Sequence, residues 1–240
     1  MDKTIIDPTF LVVRKDFDTE HYYWIDEQYV PSVTSILGEA APMGAGFRLW
    51  LLNNTPEEAE EIKNTTGAFG TLMHDTFQRL IMGDTIKMAD FDKKGKKHLM
   101  TFSQWFTEFA PDPTSLQTEF TVGSKQYSYA GTLDLACMKN NERWIIDFKT
   151  TSGIYYSHEL QVTAYKQAYE EMSNLKVDHT AILRTGTRHK IGYEFKEIDR
   201  PFEQYKNVYD TWLSLHDGKI PDPPIIDIYP EELCLFNKKK

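Results

Sequence analysis

Two aspartates stand inside apolar runs near the middle of this chain, and a buried acid restricts what the strands around it can do. The second belongs to Trp144-Ile145-Ile146-Asp147-Phe148-Lys149-Thr150. Side chains alternate along a strand, so Asp147 and Lys149 share one face while Ile146 and Phe148 take the other. The first belongs to Gly131-Thr132-Leu133-Asp134-Leu135, joined to the second across the turn-forming Lys139-Asn140-Asn141-Glu142. Antiparallel pairing would set Asp134 beside Asp147. Asp is disfavoured in strands and costly to bury, so a compensating partner is expected. Neighbouring carboxylates repel and a divalent cation relieves them, while a lysine alongside suits an anionic substrate. The plainer alternative is a pair of solvated strand ends with an ordinary surface lysine.

The remaining pattern reads as one α/β unit. Phe10–Val13 and His21–Ile25 form strands around a turn at 16–20, and Ser32 caps a helix. After a break at 41–46, a second helical segment begins at Phe47. A helix over 67–82, starting near Thr65 or Thr66, carries His74, with Gly67 and Gly70 two turns and one turn before it on the same face. Glycines there would let backbone or a ligand approach the imidazole. The stretch 92–110 places Leu99, Phe102, Phe106 and Phe109 at helical spacing, a core stripe ended by Pro111 and Pro113.

Three strands follow between 115 and 150. In the first, Leu116, Phe120 and Val122 face one way and Glu119 the other, either toward water or toward the acids. The next helix bears Gln161 and Tyr165 one turn apart beside a stripe of Leu160, Ala164, Ala168 and Met172. These two could equally be a solvated residue and a core aromatic. Strands over 180–184 and 190–198 flank Gly186, and a helix from Pro201 to Gly218 aligns Phe202, Tyr205, Tyr209 and Trp212. Pro221, Pro223 and Pro224 mark an irregular end, with a frayed tail at 238–240.

Taken in order, Gly70-Thr71-Leu72-Met73-His74, Glu119, Gly131-Thr132-Leu133-Asp134, Asp147-Phe148-Lys149-Thr150 and Gln161-Val162-Thr163-Ala164-Tyr165 resemble the RecB-type branch of the PD-(D/E)XK nucleases. The segment 29–37 also resembles a helix of the phage-encoded and mitochondrial genome maintenance exonucleases of that branch. Leu133 stands where the superfamily name has proline, but the Gly-x-x-Asp form is usual in the branch. The resemblance implies a restriction-endonuclease-like α/β core, a central mixed sheet flanked by helices with the site at one sheet edge. It implies metal ligation by His74, Asp134, Asp147 and the Phe148 carbonyl, with Lys149 as the catalytic lysine. Gln161 and Tyr165 would orient Lys149 or touch the DNA backbone, and Glu119 matches a less regular acidic position. Oxygen ligands favour Mg²⁺ or Mn²⁺, and the imidazole tilts the balance toward Mn²⁺.

Composition bounds this expectation. With 40% hydrophobic residues the chain can bury a substantial core, most simply as one domain over 1–240: an N-terminal hairpin and helices (1–66), a nuclease core (67–200), and a C-terminal helix and tail. No run of about 18 apolar residues suggests a membrane span, and the N-terminal residues lack the pattern of a signal or transit peptide. A cytoplasmic location, in a bacterium or phage-infected host, is expected. Only Cys137 and Cys234 are present, so the four-cysteine iron-sulfur cluster of some relatives cannot be built and no iron-sulfur cofactor is expected.

The net charge of −9 argues against a uniformly basic DNA-binding surface but leaves room for a local groove. Candidates for it are Lys125, Arg184, Arg188, His189 and Lys190, with Tyr155 and Tyr156 available to stack on unpaired bases. Each could also be a solvated surface group. The resulting expectation is a metal-dependent exonuclease acting on DNA that is single-stranded or has free ends, in recombination, repair or degradation, with an annealing or recombination protein as a candidate partner. A non-catalytic DNA-end-binding module and a structure-specific endonuclease are the alternatives.

Overall fold

A computed structural model describes residues 8–17, 20–187 and 192–223. A five-stranded mixed sheet, ordered β4-β5-β6-β7-β8, forms its centre. The strands are β4 (Gln117–Ser124), β5 (Tyr129–Lys139), β6 (Glu142–Lys149), β7 (His179–Arg184) and β8 (Glu194–Glu197). All neighbours run antiparallel except β6 and β7, whose parallel pairing needs the crossover supplied by helix α5 (Tyr156–Ser173). The β5–β6 turn falls at Asn140 and Asn141, both left-handed, a conformation that Asn tolerates well.

Helices cover both faces of this sheet. On one, Leu133, Ala136 and Ile145 pack against α5, α1 (Val33–Ala40) and α6 (Phe202–Leu215) through residues such as Ile36, Ala164, Tyr205 and Trp212. On the other, Leu135, Ile146 and Phe148 meet α3 (Pro56–Ile81) and α4 (Lys93–Phe109) through Met73, Phe77, Phe102 and Trp105. The Phe77 and Phe102 rings stack at 4.1 Å, and Phe148 presents an edge to Phe102 at 5.3 Å. Burial of each such ring contributes roughly 2–3 kcal/mol. These contacts hold the apolar face of β6 and so fix Asp147 and Lys149 on the opposite one. The expected core stripe of α4 is buried at Leu99, Phe102 and Phe109.

A small antiparallel sheet, β1 (Val12–Phe17), β2 (Glu20–Ile25) and β3 (Gln28–Val30), lies against the β4–β5 hairpin. Tyr23, Ile25 and Val30 pack on Ala130, and Val12 and Ile25 approach Gly123 so closely that a Cβ there would meet both at 2.9 Å. Ser32 caps α1, accepting from the Ser35 N–H. A further helix, α2 (Ala45–Leu52), starts inside the expected break, two residues before Phe47, with Gly44 at its N-cap.

Several sequence expectations are corrected. The first strand covers Val12–Phe17 rather than Phe10–Val13, and the short β3 adds a strand beyond the expected pair. Helix α3 begins at Pro56, well before Thr65, because Thr55 and Glu58 form a reciprocal capping box with proline in the first turn. A Cβ at Gly67 would meet nothing within 4 Å, and one at Gly70 only Thr150 Oγ1 at 3.6 Å, so neither glycine is required by a close approach to His74. Leu116 and Phe120 pack on opposite faces of the sheet, not on one, for a reason that lies at Glu119. Arg188, His189, Lys190 and Cys234 lie outside the described residues, as do Pro224 and the tail.

Candidate active site

The antiparallel ladder between β4 and β5 pairs Thr118 with Leu135 and Phe120 with Leu133, but the intervening Glu119 and Asp134 do not pair. Glu119 has φ of 48°, a left-handed conformation that costs a non-glycine residue about 1–2 kcal/mol. The twist reverses side-chain parity. Leu133 joins the α5 side and Leu135 the α3 side, although residues two apart on a regular strand share a face. The pairing of β5 with β6 likewise stops at Leu135 and Ile146. Asp134 fills the gap: its Oδ2 accepts from the Phe148 N–H at 2.5 Å, and its Oδ1 lies 2.9 Å from His74 Nδ1.

The register already sets Glu119 opposite Asp134 and Asp134 opposite Asp147, and the gap in pairing leaves room for their carboxylates beside His74. One ligand atom each from His74, Glu119 and Asp134 lies within 4.8 Å of the others. Glu119, the least regular of the expected positions, is therefore a member of the donor cluster, whereas Asp147 lies outside it. Asp147 is almost wholly buried, with Oδ2 2.7 Å from Lys149 Nζ. That contact is an ion pair between two largely buried groups. Lys149 also donates to Gln161 Oε1 at 2.9 Å, and Gln161 Nε2 donates to the Tyr165 hydroxyl at 2.8 Å. Gln161 and Tyr165 are both buried. A Cβ on Gly131 would lie 2.6 Å from Tyr165 Cε1, so the glycine of the Gly-x-x-Asp segment makes room for that ring.

The site therefore reaches the central strand β6 rather than one sheet edge, and its electrostatics are unbalanced. Burial and the neighbouring Asp134 carboxylate push Glu119 up to about 7. Burial, offset in part by Lys149 and reinforced by Asp134, pushes Asp147 up to about 6. Burial also opposes ionisation of Asp134, but His74, Lys149 and the Phe148 amide outweigh it and hold its carboxyl below the ordinary value. For His74, burial favours the neutral ring, yet Asp134 prevails and raises its pKa. The structure thus crowds carboxylates with too little positive charge to hold all of them ionised. His74, Glu119 and Asp134 could hold a metal ion. The fit is supported by a nitrogen-and-oxygen donor set without thiolates and by the excess of buried carboxyl groups over cations around it.

Two residues that the sequence did not single out border the site. Arg14 reaches from β1 to within 3.6 Å of Glu119 Oε2 and donates to Thr132 Oγ1 at 3.3 Å. His158, on α5, is pushed down to about 3 by burial and the Lys149 charge, and so stays neutral. Neither had a local signal, since β1 is far from the acids in sequence and His158 belongs to no recognisable spacing.

The expected DNA-contacting residues divide. Tyr155 and Tyr156 are exposed at the start of α5, just beyond β6. Arg184 is held by Glu194 through Nε and Nη2 and by the Ser152 carbonyl through Nη1. Lys125 pairs with Asp26 at the β4–β5 turn, roughly 20 Å along the strand from Glu119 at 3.3 Å per residue. It is too far along the hairpin to belong to the site. Cys137 is a free, buried thiol that burial pushes up to about 12, consistent with an inert packing role.

No family model matches this chain, and no curated protein matches it. Among solved structures it is similar to SSO0001, with 13% identity over 60% of this chain and 85% of that one and a TM-score of 0.35. It is also similar to a protein from Eubacterium rectale provisionally designated an exonuclease, with 12% identity over 64% of this chain and 70% of that one and a TM-score of 0.40. Both scores fall below 0.5, so neither likeness bears on the functional reading. No described helix is long and apolar enough to cross a membrane.

Proposed function

We propose that this chain is a divalent-metal-dependent deoxyribonuclease that hydrolyses phosphodiester bonds from DNA ends. The observation that carries the reading is the meeting of His74, Glu119 and Asp134 within 4.8 Å near the end of the central strand β6, where Lys149 emerges beside a buried acid, rather than at a sheet edge. An unspecialised fold has no reason to strain Glu119 into a left-handed conformation opposite a second carboxylate.

In this reading His74, Glu119 and Asp134 hold Mg²⁺ or Mn²⁺, with Asp147 as the further acid and the Phe148 carbonyl carried over from the resemblance. A bound divalent ion supplies Lewis-acid polarisation of the scissile phosphate and a water of lowered pKa. Lys149 contributes charge to the developing phosphorane oxygens and orients the attacking water, without covalent attack. Gln161, itself bonded to Tyr165, and Asp147 keep its ammonium at one place. Positioning of this kind is what the chemistry of phosphate esters demands of a protein. The sequence resemblance adds the setting: one nuclease domain acting in bacterial or phage DNA recombination, repair or degradation, in the cytoplasm.

The test compares wild type with Asp147→Ala on end-labelled linear DNA and on covalently closed circular DNA, each with Mg²⁺, Mn²⁺ or chelator. Metal-dependent shortening of the linear substrate alone, lost in the variant, is expected. Cutting of the circle would replace the exonuclease reading by an endonuclease one, and no cleavage with either metal would overturn the enzymatic reading.

A further inference from the structure

Many of the cations among the described residues are neutralised by an acid. Arg79, Lys125, Lys176, Arg184, Lys196, Arg200 and Lys206 each pair with a carboxylate. Cations outside these pairs are mostly scattered singly, but the first turns of α4 bring four together. Lys93, Lys94, Lys96 and Lys97 are all exposed, and among the described residues none of the four makes an ion pair. They also sit at the positive end of a long helix with no acid in its first turn, where the backbone dipole favours the opposite charge. Local helix stability opposes this arrangement, so its rationale is sought outside the helix.

The lysines connect to the candidate active site through successive contacts. Lys94 Nζ lies 3.7 Å from the centre of the Phe69 ring, on α3 and roughly 7–8 Å along the helix from His74 at 1.5 Å per residue. The same ring meets His98 edge-on at 5.2 Å, and His98 Nδ1 lies 2.8 Å from Thr185 Oγ1. Thr185 in turn donates its N–H to the Lys149 carbonyl at 3.0 Å, and Lys97 donates to the Thr187 carbonyl at 2.6 Å. The helix end itself is not the anion site, because the Asp92 carboxylate already takes the Gly95 N–H. The ammonium groups are what the surface offers.

We infer that Lys93, Lys94, Lys96 and Lys97 form the track along which the phosphodiester backbone of a DNA strand approaches the Lys149 end of β6. The inference rests on the nuclease reading for the identity of the strand. Its physical basis is charge complementarity: a dense row of ammonium groups without acid partners, on an otherwise acidic protein, attracts a polyanion locally while the remaining surface repels it. The row is packed against the elements that carry His74 and Lys149, which sets it beside the site.

The experiment measures binding of fluorescein-labelled single-stranded and duplex DNA by anisotropy, in chelator, across a KCl series. Wild type is compared with Lys93→Gln/Lys94→Gln/Lys96→Gln and with the charge-matched control Lys176→Gln/Lys206→Gln/Lys219→Gln. Every phosphate that the protein no longer neutralises lowers the slope of log K against log salt by about 0.7 for single strands and 0.9 for duplex. The α4 variant is expected to show a slope smaller by about 2 on single strands and to bind on the order of 100-fold more weakly at 0.1 M salt. Its melting temperature is expected to equal or exceed that of wild type, since the removed charges oppose the helix dipole. An unchanged slope, or an equal decrease in the control, overturns the track. Binding in chelator is read separately from cleavage, so a protein that shows the slope change but never cuts DNA would retain the track and lose the nuclease reading.

Discussion

Replacing Asp147 by Asn should make the metal-free protein more stable while destroying its activity. Asp147 is buried and its pKa is raised from 3.8 to about 6. Between those values the folded protein holds a proton that the unfolded chain has already released, so stability falls as pH rises through this window and the full penalty applies above it. A shift of about two units corresponds to roughly 3 kcal/mol. The attraction of Lys149 is already inside that shift, so the figure is net of the ion pair. Asn keeps the shape and removes the charge. At pH 8 in chelator, Asp147→Asn should therefore melt about 6–12 °C higher than wild type, taking 2–4 °C per kcal/mol for a chain of this size. At pH 4 the two should converge. Excess Mn²⁺ should narrow the gap at pH 8, because wild type offers the ion one carboxylate more than the variant and gains more from binding it. Thermal denaturation at both pH values, with and without metal, checks this. A variant less stable than wild type at pH 8 in chelator would show that the buried charge is compensated by something other than a cation, and would refute the reasoning.

Other substitutions probe the remaining parts. Lys149→Ala should leave DNA binding in chelator within a factor of a few and lower the cleavage rate by about 10²–10³, read by binding and single-turnover assays. Gly131→Ala should cost about 1–3 kcal/mol in urea denaturation, because its methyl group would overlap the buried Tyr165 ring, and should slow cleavage through the displaced Gln161 and Lys149. Glu119→Gly should relieve the left-handed strain and stabilise the metal-free protein by about 1 kcal/mol. The same change should shift the Mn²⁺ midpoint for cleavage upward by at least about 10-fold in a metal titration.

Much of the fold was legible because it rests on local chemistry. The aromatic spacing of α4, the Asn-Asn turn between β5 and β6, and the alternation around Asp147 each follow from one segment alone. The start of α3 was also legible in Thr55-Pro56-Glu57-Glu58, but a capping box followed by few apolar residues lacks the hydrophobic period that usually announces a helix. What could not be read from sequence is the set of long-range consequences. The left-handed Glu119, the reversal of parity in β4 and β5, and the arrival of Arg14 from the small sheet depend on how separate segments meet. The division of labour between acids belongs to the same class. Sequence spacing alone could not show that Glu119 would join His74 and Asp134 while Asp147 turned to Lys149.

The central claim is that the acids around Asp134 hold a divalent ion that hydrolyses DNA. The most direct measurement is the initial rate at which nucleotides are released from linear DNA as Mn²⁺ is titrated, for wild type and Asp134→Asn prepared in parallel. The account expects a saturable rise for wild type, abolished by chelator, and no rise for the variant at any Mn²⁺ concentration that leaves it folded. Equal rates from the two proteins, or release from wild type that persists in chelator, would contradict it.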